Sequence, residues 1–203
     1  VAPFERMVVE TSGLADPAPI LQALMTDAGL AEELVLSGVI TTVDAVNGEA
    51  TLAAHHESMK QAAVADRLIL TKTDLAGGSS DGLSARLALI NPLAPLLTAD
   101  HGDIDPALLF DGGLYDASGK TPDVRRWLGE QPHAHAHDEH RHAGDITCYA
   151  ILRRDALRAA TLSLFLEALA DHCGADILRM KGIVNIAEVP ERPAVVHGVQ
   201  HVF

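Results

Sequence analysis

Three groups of residues in this 203-residue chain have types and spacing that could do chemistry. Thr71-Lys72-Thr73-Asp74 follows the run Arg67-Leu68-Ile69-Leu70, so it should sit at the carboxyl end of a buried parallel strand. Ligand contacts of nucleotide-binding α/β proteins gather at that edge. A carboxylate held there accepts two hydrogen bonds from the N1–H and 2-amino groups of guanine, donors that adenine does not offer as a pair. The methylene stem of Lys72 is long enough to lie along a purine face with its ammonium left in water.

The second group is Glu10-Thr11-Ser12-Gly13-Leu14-Ala15-Asp16-Pro17, which follows the apolar Met7-Val8-Val9. An acidic residue at a strand end suits the Mg²⁺ of a nucleoside triphosphate, held through water. Gly13 has no Cβ, so a backbone N–H there can come close to a γ-phosphate. The plainer alternative is a strand, a Ser/Gly turn, and Asp16-Pro17 opening a helix. The third group is His133, His135, His137, His140 and His142, with Asp138 and Glu139 among them. Neutral imidazoles suit Zn²⁺, Ni²⁺, Cu²⁺ and Co²⁺. The alternative is a solvated acidic linker that binds metal incidentally.

The elements that must position these groups follow from periodicity. Strands are expected at 6–10, 35–43, 67–71 and 94–98, and helices at 17–28, 49–64, 81–90 and 104–110. That alternation implies right-handed crossovers and a parallel sheet with helices on both faces. Asn91-Pro92 ends the helix before the last of these strands. Leu96-Leu97-Thr98-Ala99-Asp100 covers the end of the last of these strands and the residues just beyond it. A short helix over 122–128 would use Trp127 as a packing anchor. Residues 131–144 have almost nothing to bury and read as a linker. Beyond it come a strand over 145–153, a helix over 156–173 with Asp155 as N-cap and Gly174 in a left-handed cap, and strands at 176–187 and 193–203.

Composition narrows the classes. Hydrophobic residues make up 48% and aromatics 3%, a Leu/Val/Ala/Ile core of the kind parallel sheets prefer. The formal charge of −13 argues against a nucleic-acid partner, which needs a basic patch. It suits a soluble cytoplasmic protein. No apolar run reaches the length of a membrane span. Cys148 and Cys173 suggest neither a disulfide framework nor a zinc knuckle, and both are expected to be buried thiols.

Glu-Thr-Ser-Gly-Leu-Ala-Asp-Pro-Ala-Pro at 10–19, Gly38-Val39-Ile40-Thr41-Thr42-Val43-Asp44-Ala45, Thr-Lys-Thr-Asp at 71–74 and Arg179-Met180-Lys181-Gly182-Ile183-Val184-Asn185-Ile186 together resemble the CobW group of P-loop GTPases, relatives of the UreG and HypB metallochaperones. The resemblance runs over nearly the whole chain. It implies the C-terminal part of a P-loop NTPase sheet over 1–130, the His-rich linker over 131–144, and the family's small α+β C-terminal domain over 145–203. It further implies GTP and Mg²⁺ as ligands, a transition metal (zinc or cobalt) as cargo, and a client metalloprotein or metal-inserting enzyme as partner. Glu10 and Gly13 then take the catalytic positions, Thr71, Lys72 and Asp74 the base-binding ones, and the five histidines the metal.

Some of the family's pattern is not here. The chain has no G-x-x-x-x-G-K-[ST], whose lysine and hydroxyl handle the phosphates and Mg²⁺. The family's Cys-x-Cys-Cys metal motif is also missing. Both would precede Val1, so the chain reads as a portion of a longer protein, and 193–203 reads as a strand that stops in mid-pattern. The isolated chain is expected to associate or be poorly soluble, and not to hydrolyse GTP. Thr71 stands where many GTPases have Asn, which could relax base selectivity. A rival function is a metal-binding interaction module that uses the His tract without nucleotide turnover.

Overall fold

The computed structural model describes residues 4–77, 80–110 and 146–203. The histidine tract, the linker and the helix expected over 122–128 lie outside the described residues.

Leu68, Ile69 and Leu70 have no polar side chain to solvate, and they become the buried middle of the central strand. The parallel sheet has the order β1 (Ile40–Asp44), β2 (Arg67–Thr71), β3 (Leu96–Ala99). Its register pairs Asp44 with Thr71 and Thr71 with Ala99, so three strands end at one level. Around it run α1 (Pro17–Thr26), α2 (Ala28–Glu33), α3 (Gly48–Ala54), α4 (His56–Val64), α5 (Asp81–Ile90) and α6 (Pro106–Phe110). Asp16 caps α1 by accepting from the Ala18 N–H at 3.0 Å, with Pro17 at the first helical position. The main core packs Leu52 and Ala62 of α3 and α4 and Leu83, Leu87 and Ile90 of α5 against Leu68 and Leu70.

Asn91, at the end of α5, is buried for a reason its own sequence does not show. Its Nδ2 donates to the carbonyls of Ala62, Ala63 and Ala65 at 2.9–3.1 Å, and its Oδ1 accepts from Ala94 N–H at 3.1 Å. It satisfies the orphan carbonyls at the end of α4, which would otherwise be buried without donors.

The C-terminal part contains α7 (Ala159–Cys173) and an antiparallel pair, β4 (Met180–Val184) and β5 (Ala194–Gly198). Ile146 packs against the main core, and two further contacts join the C-terminal part to the parallel part among the described residues. Ala18, Leu21, Val64 and Val199 form one apolar cluster, flanked by a Gln22–Gln200 hydrogen bond of 2.8 Å. Beside it, Asp66 at the amino end of β2 accepts from Val39 N–H at 2.7 Å and from Arg179 Nη2 at 2.6 Å, and it also pairs with Lys181. Arg179 further donates to the Val64 carbonyl and lies 3.0 Å from His197 Nε2. The Arg-Met-Lys-Gly stretch noted in the sequence is therefore where β4 grips the start of β2.

Several expectations change. Residues 6–10 form no strand: Met7, Val8 and Val9 are exposed, and an apolar run becomes a strand only where a neighbour completes its ladder. The strand expected over 145–153 is likewise unpaired over 147–153, with Tyr149, Ile151 and Leu152 exposed. The single helix expected over 49–64 is two, broken at His55, whose backbone is extended with no Pro or Gly to announce it. The N-cap of α7 is Arg158, not Asp155, and Gly174 keeps right-handed helical angles. Both cysteines are exposed.

Candidate functional site

The common end level of β1, β2 and β3 brings the separated sequence groups to one edge. Thr71 closes β2, and its Oγ1 donates to the Val43 carbonyl at 3.3 Å. Lys72 comes next with a left-handed φ of 57°, an uncommon conformation for a side chain of its size. Its Nζ is 2.7 Å from Asp44 Oδ2 at the end of β1. Asp74 lies in a 3₁₀ turn, Thr73–Leu75, with about a third of its side chain still open to solvent.

Asp44 is the best-anchored group of the edge. Its Oδ1 accepts from the N–H groups of Val46 and Asn47 at 2.7 and 3.2 Å, and Asn47 Nδ2 donates to Oδ2 at 3.1 Å. The Lys72 ammonium, reinforced by these donors, holds its carboxyl far below the usual carboxylate range. In the sequence Asp44 stands out only as a strand ending. The signal that could have found it is an aspartate closing an apolar strand just ahead of Asn-Gly, a turn that leaves backbone donors for a carboxylate.

The turn after β3 adds a residue that spacing did not reveal. Asp100 accepts from Asp103 N–H at 2.7 Å, and His101 and Gly102 both have positive φ. His101 thereby sits with Nε2 3.6 Å from Asp74 and Nδ1 2.7 Å from Asp100. The hydrogen bond to Asp100, then the charge of Asp74, raises its pKa above the ordinary value. Asp74, Asp100 and His101 are exposed and satisfy one another, which is what a polar rim does without any ion.

Gly13 approaches from the other side. It lines a cavity of about 160 Å³ together with Thr42, Asp44, Gly48, Ser58 and Gln61. Gln61 of α4 donates to the carbonyls of Gly13 and Ala15 at 3.2 and 2.8 Å, and Lys60 pairs with Asp16 at 2.8 Å. A Cβ at Gly13 would meet nothing within 4 Å, so the approach to its backbone is open. Glu10 is exposed, outside any helix or strand, upstream of this loop. A lone carboxylate of that kind fits a Mg²⁺ held through water, not a closed set of protein ligands. Thus Asp44, Thr71, Lys72, Asp74 and Gly13 share one edge. Glu10 is joined to it only through the chain, and His133, His135, His137, His140 and His142 lie outside the described residues.

The nucleotide-binding domain of CobW/HypB/UreG matches residues 2–98, and the C-terminal domain of the cobalamin synthesis protein cobW matches 146–203. The chain belongs to the CobW family. Over 98% of its length it is 32% identical to the zinc chaperone YjiA of Escherichia coli, of which it spans 60%. Half of the chain is 35% identical to the zinc-regulated GTPase metalloprotein activator 1 of Schizosaccharomyces pombe, covering 25% of that protein. The crystal structure of Zn(II)-bound YjiA GTPase from E. coli superposes on 94% of this CobW-family chain with a TM-score of 0.69 and 30% identity, covering 57% of the YjiA chain. Among the described residues, no helix is long and apolar enough to cross a membrane.

Proposed function

We propose that the protein is a GTP-binding metallochaperone that couples GTP hydrolysis to delivery of a transition metal, zinc or cobalt, to a client metalloprotein or metal-inserting enzyme in the cytoplasm. The observation that carries this reading is the gathering of Thr71, Lys72 and Asp74 at the carboxyl edge of a parallel sheet, with Asp44 touching both Lys72 and the Gly13 cavity. The names of the relatives, zinc chaperones and zinc-regulated GTPases, put zinc first.

On this reading Asp74 accepts the two donors of guanine, and the Lys72 stem covers one purine face. The Gly13 N–H meets the γ-phosphate, and Glu10 holds water-bound Mg²⁺ and the attacking water. Mg²⁺, when bound, offsets the phosphate charge. Hydrolysis removes the γ-phosphate contact, so the Gly13 loop rearranges on its Gln61 and Lys60 supports. The five histidines between 133 and 142 capture the metal.

The test is equilibrium nucleotide binding to the complete gene product. Asp74→Asn should weaken GTP binding about 10- to 100-fold, the worth of a charge-assisted hydrogen-bond pair. Unchanged affinity and base selectivity would remove the base-reading role. Zinc titrations with and without GTP should give different affinities. Equal affinities would leave a metal-binding module indifferent to nucleotide.

A further inference from the structure

The nucleotide reading gives Asp44 no role, yet it is the most heavily bonded side chain at the ligand edge. Its position is set three ways: by strand register opposite Thr71, by two backbone N–H groups of the following turn, and by the Asn47 amide. Lys72 is the reverse. Its side chain is 54% exposed and its backbone is left-handed, and the contact that pins its far end is the 2.7 Å pair with Asp44. A free lysine stem samples many rotamers and would have to be ordered each time a base docked on it. One tethered at Nζ has lost much of that freedom already.

We infer that Asp44 is a positioning residue for the base site: it fixes the Lys72 ammonium so that the methylene stem stands ready as a shelf for the purine face. This rests on the reading of Lys72 and Asp74 as base contacts. It carries a signature of its own, because a shelf is blind to the edge of the base. Asp44 should therefore govern how tightly any purine nucleotide binds, and Asp74 should govern which one.

The competing account is that Asp44 merely starts the turn into α3. Asp44→Asn separates the two: the amide oxygen still accepts from the Val46 and Asn47 N–H groups that start the turn, while the charge toward Lys72 and the acceptor for the Asn47 amide are lost. The experiment measures GDP and IDP affinities of the complete gene product as wild type, D44N, K72M, D44N/K72M and D74N, with thermal unfolding of each. IDP is the probe for the edge, because hypoxanthine lacks the 2-amino group. D44N should weaken GDP and IDP by the same factor, about two- to tenfold, and should add nothing in the K72M background. D74N should instead narrow the gap between GDP and IDP. The inference is overturned if D44N binds like wild type, if its effect persists undiminished alongside K72M, or if D44N unfolds well below wild type and K72M does not. A D74N protein with an unaltered GDP-to-IDP ratio would overturn the base site itself, and the positioning role with it.

Discussion

At its amino end β2 is preceded by Asp66, and at its carboxyl end it is followed by Lys72 and Asp74. Asp66 has an 11% exposed side chain and is enclosed by Arg179, Lys181 and Val39 N–H. At the other end the Asp44–Lys72 pair leaves the lysine more than half exposed, and Asp74 faces solvent and His101. The residue types are the same, aspartate against lysine or arginine, but the dielectric is not. A buried carboxylate without its cations is a large penalty, whereas an exposed one simply returns to water. Charges at the amino end therefore hold the C-terminal domain on the sheet, and charges at the carboxyl end remain available to a ligand.

Asp66→Ala is the strongest way to break this comparison. It removes the shared carboxylate from beside the buried Arg179 and the largely buried Lys181 and should cost about 3–5 kcal/mol in urea unfolding. A loss under about 1 kcal/mol would mean that the Asp66 cluster is worth no more than an exposed ion pair.

Acid titration sharpens the contrast, because the two ends carry histidines shifted in opposite directions. Burial, then Arg179, lowers His197 from 6.5 to about 4. The unfolded chain takes up that proton near pH 6.5 and the folded one only near pH 4, so stability present above 6.5 is lost as pH falls through that window. Asp66 adds to the loss at lower pH: burial raises its carboxyl, Arg179 and Lys181 outweigh this, and the net shift is downward from 3.8. His101 acts the other way. Its raised pKa contributes stability below 6.5 that disappears as pH rises through the folded value. Histidine NMR should show His101 titrating above His197, and His197→Leu should flatten the stability profile between pH 6.5 and 4.

The smallest effect is expected from Lys72→Met. The exposed pair it removes should change unfolding free energy by no more than about 0.5 kcal/mol, and added salt should mimic it. A Lys72→Met loss comparable to that of Asp66→Ala would erase the distinction.

The carboxyl end was the more legible in sequence, since Thr71, Lys72 and Asp74 are contiguous and follow an apolar strand. Strand β2 and helix α5 have the boundaries that periodicity assigns them, 67–71 and 81–90. The amino end was opaque. Asp66 and its partners Arg179 and Lys181 are 113 and 115 residues apart, and no local pattern links them. His101 was missed for a related reason: its place beside Asp74 depends on a left-handed turn after another strand. Residues 6–10 had the right pattern for a strand, but pattern supplies only one side of a ladder. The break at His55 has no helix-breaking residue to announce it, only an extended backbone between α3 and α4.

The clasp made by Asn91 has a further consequence for how the chain ages. It works only as an amide, because the carbonyls of Ala62, Ala63 and Ala65 need a donor and a carboxylate offers none. Asparagines usually hydrolyse spontaneously through attack by the next residue's backbone nitrogen on the side-chain carbonyl. Here that nitrogen belongs to Pro92 and carries no hydrogen to lose. The residue that ends the helix therefore also protects, over the lifetime of the molecule, the amide that ties the end of α5 to the end of α4.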